Sequence, residues 1–466
     1  MIPMSLADVA AAVDGRLVGV DDADVLITGT IEHDSRNVRA GGLFVAFVGE
    51  KVDGHTFAPA AFDSGAVAVL GNRAVDGPTI VVDDVLSAYG RLARAVVDRL
   101  PGMTVIGITG SSGKTSTKDM VAQVCERLGP TVAPQGSLNN ELGLPYTVCK
   151  VDESTRYLVL EMGARGIGHV EYLCGIAPVD VAVVLNVGSA HLGEFGSVEA
   201  IATAKSELAR AVGSGGAVVL NADDPLVSAM GDSATATVVR YSMAEAPQAQ
   251  VTASHLAAVG GRFSFVLTTP RGQAEVELRL HGAHQVSNAL AAAAVGDQLG
   301  MVTADIAACL DALEPRSARR MDVFTRKDDG ITVIDDSYNA NPASMAAALS
   351  ALADVGQGRR KIAVLGYMAE LGDGERSAHE EVGRLAAEAG AELVIVVEEC
   401  ASGIAAGAAA CSVATRQTFD QDEAIALLDE LSRPGDTVLI KASRYRTWRV
   451  ADYLRSPQHL TKEAHA

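Results

Sequence analysis

Residues 104–117, Thr-Val-Ile-Gly-Ile-Thr-Gly-Ser-Ser-Gly-Lys-Thr-Ser-Thr, run from a short apolar stretch into glycines and end in Gly113-Lys114-Thr115. Residue types in this order can hold a polyphosphate. Backbone N–H groups of the turn face phosphate oxygens, an ammonium sits beside the outer phosphates, and a hydroxyl is offered to Mg²⁺. The spacing is Gly110-x-x-Gly113-Lys-Thr, with Ile108 where the longer form of this loop carries its first glycine. Magnesium on such a site needs oxygen donors at neighbouring strand ends. Glu161, closing the apolar run that starts at Tyr157, is placed for this, because an unpaired carboxylate at the end of a buried strand costs several kcal/mol. His191 lies in the glycine-broken segment Asn186–Gly196, where the ring either touches metal or substrate or is a satisfied structural histidine. Lys205, in Ala204-Lys205-Ser-Glu207, is either a helix-surface lysine paired with a glutamate or part of the same site. The order glutamate, histidine, lysine favours treating the three together.

A loop of this kind requires a strand before it and a helix after it. Strand patterns at Val105–Thr109, Tyr157–Glu161, Val179–Val187 and Ala217–Leu220 alternate with helical ones at Lys114–Leu128, Val198–Val212 and Ala283–Leu299. The alternation predicts a mostly parallel sheet covered by helices on both faces, with the ligand crevice at the carboxyl ends of the strands. Residues 1–102 read as a small α/β unit, with a helix at Leu6–Val13, strands near Leu26–Gly29, Gly42–Ala46, Ala66–Val69 and Thr79–Val82, and a helix at Val85–Leu100. Its polar cluster Asp34-Ser35-Arg36 is open to two readings, a ligand pocket or a solvated turn beside a hairpin. From residue 321 onward strands at Thr332–Asp335, Lys361–Leu365, Leu393–Val397 and Thr437–Ile440, with helices at Pro342–Ala353, Arg376–Ala389 and Glu423–Ser432, form a second doubly wound, Rossmann-like pattern. The fold expected is therefore α/β in three domains, 1–102, 103–320 and 321–466.

Composition narrows the function classes. A formal charge of −20, from 38 basic and 58 acidic residues, argues against unaided binding to nucleic acid or an anionic membrane. Any polyphosphate must be met by local cations or metal. No apolar stretch approaches the roughly 18 residues of a membrane span, and the N-terminus lacks the pattern of a secretory leader, so a cytoplasmic location is expected. The six cysteines are scattered, without metal-ligand spacing, and read as reduced thiols.

The loop Thr109–Thr115, Glu161-Met-Gly163, Asn186–Gly196 and Ala204–Glu207 together resemble the ATP-dependent Mur ligase family, which uses the same shortened phosphate loop. Further matches follow in order: Asn139-Asn140-Glu141-Leu-Gly143, Gly282-Ala-His284-Gln-Val-Ser-Asn288, Arg319-Arg320-Met321 and Asp335-Asp-Ser-Tyr-Asn-Ala-Asn-Pro342. The resemblance covers essentially the whole chain. Within the family, the Asp335–Pro342 string and Gly366-Tyr-Met-Ala-Glu-Leu-Gly372 are similar to the member that joins D-alanyl-D-alanine to UDP-N-acetylmuramoyl-tripeptide.

The resemblance implies an ATP-dependent amide-bond ligase of peptidoglycan precursor synthesis, acting through an acyl phosphate as a monomer, with ATP and two Mg²⁺ ions. It implies that Gly110, Ser111, Ser112, Gly113, Lys114, Thr115 and Ser116 hold the ATP phosphates, that Thr115 and Glu161 ligate one Mg²⁺, and that His191 and a side-chain-carboxylated Lys205 hold the second. Asn288 matches an adenine contact, Arg319 a group reaching the γ-phosphate, and Asp335 a ribose contact. Ser35 and Arg36 match the region receiving the uridine nucleotide, and Asn139, Asn140, Tyr338, Asn339 and Asn341 match substrate-contacting positions. Lys114, Lys205, His191 and Arg319 are the catalytic set so implied. Two places depart from the family pattern: Lys441-Ala-Ser-Arg444 where it has Lys-Gly-Ser-Arg, and Ala164-Arg-Gly-Ile-Gly168. An alanine at 442 lacks glycine's freedom at positive φ, so a different turn is expected there. Other readings of the same loop are another Mur-type or folylpolyglutamate-type ligase, a P-loop kinase or ATPase, and a nucleotide-binding regulator without chemistry.

Overall fold

The structure, a computed structural model, describes residues 1–188 and 192–456. Its centre is a nine-stranded sheet in the order Gly272–His281, Arg262–Thr269, Val251–Val259, Thr237–Ser242, Ala217–Asn221, Val181–Val184, Thr104–Thr109, Tyr157–Glu161, Thr131–Val132. Strands from Val251–Val259 through to Thr131–Val132 pair in parallel, while Arg262–Thr269 and Gly272–His281 add an antiparallel edge. Thr104–Thr109 is the first strand of this sheet and lies inside it. The chain adds Tyr157–Glu161 on one side of it and Val181–Val184 on the other, which makes its carboxyl end the switch point where an α/β sheet opens a crevice.

Both faces of this sheet are buried. One carries Ile106, Ile108, Val159, Val183 and Val219 against helices Lys114–Glu126 and His284–Gln298, whose residues Ala289 to Ala294 are all fully enclosed. Alanine there lets the helix approach closely, and larger side chains would overpack the contact. The opposite face shares one core with the N-terminal unit and helices Val85–Asp98 and Val198–Ala211. That N-terminal unit holds a five-stranded sheet, order Arg16–Val18, Thr79–Val81, Ala66–Gly71, Gly42–Val45, Ile31–Glu32, parallel except at its first pair. The C-terminal sheet runs Asp322–Thr325, Thr332–Asp335, Thr437–Lys441, Lys361–Leu365, Leu393–Val397, Ala414–Thr418, again parallel except at its first pair. Among the described residues no helix is long and apolar enough to cross a membrane. The six cysteines are unpaired, with only Cys400 and Cys411 exposed.

Most strands and helices expected from the sequence are present, and the α/β class holds. Two differences concern the central sheet. The expected strand 179–187 is shorter, Val181–Val184, because Asn186 turns its carboxamide onto Ser112 instead of continuing the ladder. The three long strands between Val251 and His281 go beyond the expected ones: in Gly272–His281 the apolar Ala274, Val276, Leu278 and Leu280 alternate with polar residues, a strand signal, whereas the outer part of Val251–Val259, from Ser254 onward, is largely exposed and alternates weakly.

Candidate active site

The phosphate loop follows from the register of the sheet. Glu161 lies opposite Ile108, so its carboxylate emerges where the strand Thr104–Thr109 breaks into the loop. Gly113 caps the helix Lys114–Glu126 with φ +79° and no side chain satisfies the helix's first N–H groups. Those N–H groups and the positive end of the helix dipole are what an anion binds. Glycine is required at 113 twice over, since a Cβ would also lie 2.8 Å from Asn288 Oδ1. Asn186 fixes the other side of the loop: the Ser112 N–H donates to its Oδ1 at 2.9 Å, and its Nδ2 donates to Ser112 O at 3.2 Å.

Around the loop is a cavity of about 490 Å³. Glu161 is buried in its wall and accepts from Thr115 Oγ1 at 2.8 Å, Ser137 Oγ at 2.8 Å and Asn139 Nδ2 at 2.7 Å. These hydrogen-bond partners are neutral, and hydroxyl, carboxylate and amide oxygens are the hard donors that Mg²⁺ prefers. Lys114 Nζ donates to Gly110 O at 2.6 Å, and burial holds its pKa below the ordinary value against the pull of Glu161. Lys205 is buried on the helix Val198–Ala211, and its ammonium has no hydrogen-bond or ion-pair partner among the described residues. Burial, followed by the like charge of Lys114, drives its pKa well down. The result is an unpartnered amine facing the cavity whose charged form is disfavoured. Glu207, on the same helix, instead accepts from the N–H groups of Gly168 and Glu171 and so fixes the segment that follows Glu161.

The C-terminal unit closes the cavity. Tyr338, Asn339 and Asn341 line it, and Asn341 Nδ2 donates to Ser111 O at 3.4 Å. The departures at Lys441 and at residues 164–168 belong to it as well: Lys441 Nζ donates to Asn339 O at 2.9 Å and pairs with Asp336, Ser443 Oγ accepts from Ala369 N–H at 3.1 Å, and Arg165 faces the space. Ala442 does not take a positive φ; the strained residue is Arg444, at φ +57°. The Ala442 methyl packs on Gly366, where a Cβ would come within 2.8 Å of it, so a residue without a side chain is needed at 366. Six basic residues, Lys114, Arg165, Lys205, Arg320, Lys441 and Arg444, line the cavity against four acidic ones. This is a local reversal in a chain of charge −20.

Not every expected residue is here. Arg319 is turned away: its guanidinium donates to Asp452 Oδ1 at 2.6 Å and to Trp448 O at 3.2 Å. The arginine that reaches the loop is the next one, Arg320, whose Nη2 donates to Thr115 Oγ1 at 3.2 Å. A run of two arginines gives no means of choosing between them from sequence, since the backbone turn between them decides. Asp335 is buried, accepts from Ser337 N and Oγ, and lies 3.9 Å from Arg319; burial raises its pKa, and Asp336 is the member of the pair that lines the cavity. Ser35 and Arg36 lie outside this cavity in a turn between two parallel strands, with Arg36 forked onto Asp34 and exposed. His191 falls outside the described residues. Sequence reasoning did not single out Ser137, His284 or Arg320 as separate site residues. His284 is partly buried, with an enclosed and unpartnered Nδ1, and desolvation lowers its pKa.

Fold and site together describe a three-unit α/β enzyme that binds a nucleoside triphosphate at a shortened phosphate loop. Comparison with known proteins agrees. Residues 29–103, 108–296 and 319–444 match, respectively, the Mur ligase family catalytic domain, the Mur ligase middle domain and the Mur ligase glutamate ligase domain. The UDP-N-acetylmuramoyl-tripeptide–D-alanyl-D-alanine ligase of Mycobacterium leprae is 44% identical, over 95% of this chain and 96% of its own. Among solved structures, MurF from Acinetobacter baumannii superposes with a TM-score of 0.88 at 30% identity, over 97% of this chain and 99% of that one. MurF from Thermotoga maritima, solved with ADP, gives 0.79 at 30% identity, over 91% and 97%. The chain belongs to the Mur ligase family.

Proposed function

We propose that this chain is the ATP-dependent ligase that joins D-alanyl-D-alanine to UDP-N-acetylmuramoyl-tripeptide in peptidoglycan precursor synthesis. The observation that carries the reading is the meeting, in one cavity, of the phosphate loop, Glu161, Lys205 and the Tyr338–Asn341 segment of a second doubly wound unit. A carboxylate is a poor acylating agent. ATP activates it: the tripeptide carboxylate oxygen attacks the γ-phosphorus, the bond to the β-phosphate oxygen breaks, and ADP leaves. The amine of D-alanyl-D-alanine then attacks the acyl phosphate carbon, loses a proton and expels inorganic phosphate.

Negative charge grows on the transferred phosphoryl group and then on the tetrahedral intermediate, so fixed cations supply most of the stabilisation. Lys114 and the N–H groups from Gly110 to Ser116 hold the phosphates, and Arg320 faces them from the C-terminal side. Thr115 and Glu161 would hold one Mg²⁺, and His191 with Lys205 a second; the ions when bound neutralise phosphate charge and align the donor and acceptor oxygens. Burial beside Lys114 disfavours the ammonium form of Lys205, which suits its amine to attack carbon dioxide, lose a proton and become a carbamate, an anionic ligand where an unmodified lysine would be cationic. Asn288 lies beneath the loop for the adenine, Asp336 is the carboxylate available to the ribose with Asp335 buried next to it, Ser35 and Arg36 receive the uridine nucleotide, and Asn139, Asn140, Tyr338, Asn339 and Asn341 contact the peptide and dipeptide substrates.

Division at residues 102 and 320 into substrate-binding, ATP-binding and Rossmann-like domains, a monomer, and a cytoplasmic location complete the proposal. Measuring ADP release with each substrate omitted tests it. Ligation demands both the UDP-peptide and the dipeptide, whereas a kinase or ATPase turns over without the dipeptide.

A further inference from the structure

Arg320 lies between two residues in a backbone conformation that L side chains rarely adopt: φ is +60° at Arg319 and +52° at Met321. Neither is glycine, so something must hold each in place. The structure supplies it on both sides. Met321 is buried, and its N–H donates to Asp336 Oδ1 at 3.0 Å. Arg319 is tied to the last described helix, Trp448–Arg455, by its bonds to Asp452 and to Trp448 O, and its guanidinium carbon lies 4.8 Å from the centroid of the Trp448 ring.

The contacts continue from there to the loop. Trp448 stacks on Tyr338 at 6.2 Å between centroids and 29° between planes, and its Nε1–H donates to Ser337 O at 2.8 Å. Over the Tyr338 ring, at 4.1 Å, lies the guanidinium of Arg320, which donates to Thr115 Oγ1. Arg319, Trp448, Tyr338 and Arg320 thus form an unbroken series of cation–π and π–π contacts, anchored at one end by Asp452 and reaching the phosphate loop at the other. An exposed arginine pair would not require two strained residues or the chain's single tryptophan.

We infer that Arg319 and Trp448 are positioning residues for Arg320: they fix the strained 319–321 turn and the Tyr338 ring so that the Arg320 guanidinium is held at the phosphate loop during phosphoryl transfer. The inference rests on the ligase reading of the site. It assigns Arg319 a role at a distance from the nucleotide, acting through its neighbour.

Steady-state kinetics of the full chain with both substrates, comparing wild type, Arg319→Gly, Arg320→Ala and the double variant, test it. Wild type that fails to ligate would dismiss the ligase reading; active wild type leaves the variants to judge this one. Arg319→Gly accepts φ +60° without strain, so if only the backbone matters it turns over like wild type. The expected result is a kcat lower by about tenfold with KM for ATP within about twofold, because a misaligned group is lost in the transition state more than in binding. Arg320→Ala is expected to lose about 10²–10³-fold, and the double variant to be no slower than Arg320→Ala, since the two act through one group. Trp448→Leu should match Arg319→Gly while Trp448→Phe stays within about threefold of wild type. Wild-type kcat in Arg319→Gly, or losses that multiply in the double variant, would overturn the inference. Should Arg319→Gly fail to fold, equal activity of Trp448→Leu and Trp448→Phe would overturn it by itself.

Discussion

At the scale of single residues, the site depends on charges whose surroundings are unfavourable without a ligand. Glu161 is enclosed by neutral donors, and Lys205 has burial and a neighbouring ammonium against its proton. Lys205→Ala removes the group expected to be carboxylated and should lower kcat by at least about 10²-fold. Short carboxylates such as acetate or propionate, added at tens of millimolar, should restore part of that loss by occupying the vacated space; activity that does not respond to them would count against the carbamate. Arg320 shows where residue-level reading stops. Arg319 and Arg320 are chemically identical in the sequence, and only the two positive φ angles that flank the second send one side chain to the loop and the other to Asp452.

At the scale of elements, the phosphate loop and its strand and helix were legible because glycine, periodicity and length agree there, as they do for Thr332–Asp335, Lys361–Leu365 and Leu393–Val397, whose ends match the expected ones. The outer half of Val251–Val259 was not, because it is exposed and carries little apolar contrast, whereas Gly272–His281 does alternate, at Ala274, Val276, Leu278 and Leu280. The packing of Ala442 on Gly366 was not legible either, since it depends on two strands lying side by side. Gly113→Ala tests the loop: the added methyl meets Asn288 in a left-handed conformation, so stability should fall by about 1–3 kcal/mol and ATP binding should be largely lost, as read by thermal melting and nucleotide titration. The segment Gly366–Gly372, which brings Ala369 and Glu370 to the cavity, depends on His379. Its Nε2 accepts from the Met368 N–H at 3.0 Å and its Nδ1 donates to Glu375 O at 2.7 Å, an arrangement that requires the neutral ring. Burial lowers the His379 pKa from its ordinary 6.5. The unfolded chain therefore takes up a proton below about pH 6.5 that the folded chain refuses, and stability contributed by this ring is full above that pH and is lost as pH falls toward the folded value. In urea titrations His379→Gln should be less stable than wild type at pH 8, with the gap narrowing below pH 6.5; a gap independent of pH would contradict this.

At the scale of the whole molecule, three sheets divide the work between them. The central sheet presents phosphate-binding groups at its switch point, Arg320 at the domain junction and Tyr338 and Asn341 of the C-terminal unit lie against them, and the N-terminal unit shares a core with the central one. In a chain with net charge −20, six basic residues outnumber the acidic ones around this cavity, which suits it to polyphosphate chemistry. The central claim is that the peptide carboxylate is activated by phosphoryl transfer before the amine arrives. Isotope transfer tests it most directly: UDP-N-acetylmuramoyl-tripeptide labelled with ¹⁸O in its terminal carboxylate is ligated to D-alanyl-D-alanine, and the released phosphate is weighed by mass spectrometry. The account predicts that each phosphate carries one oxygen from the carboxylate. Product formed with unlabelled phosphate would contradict it.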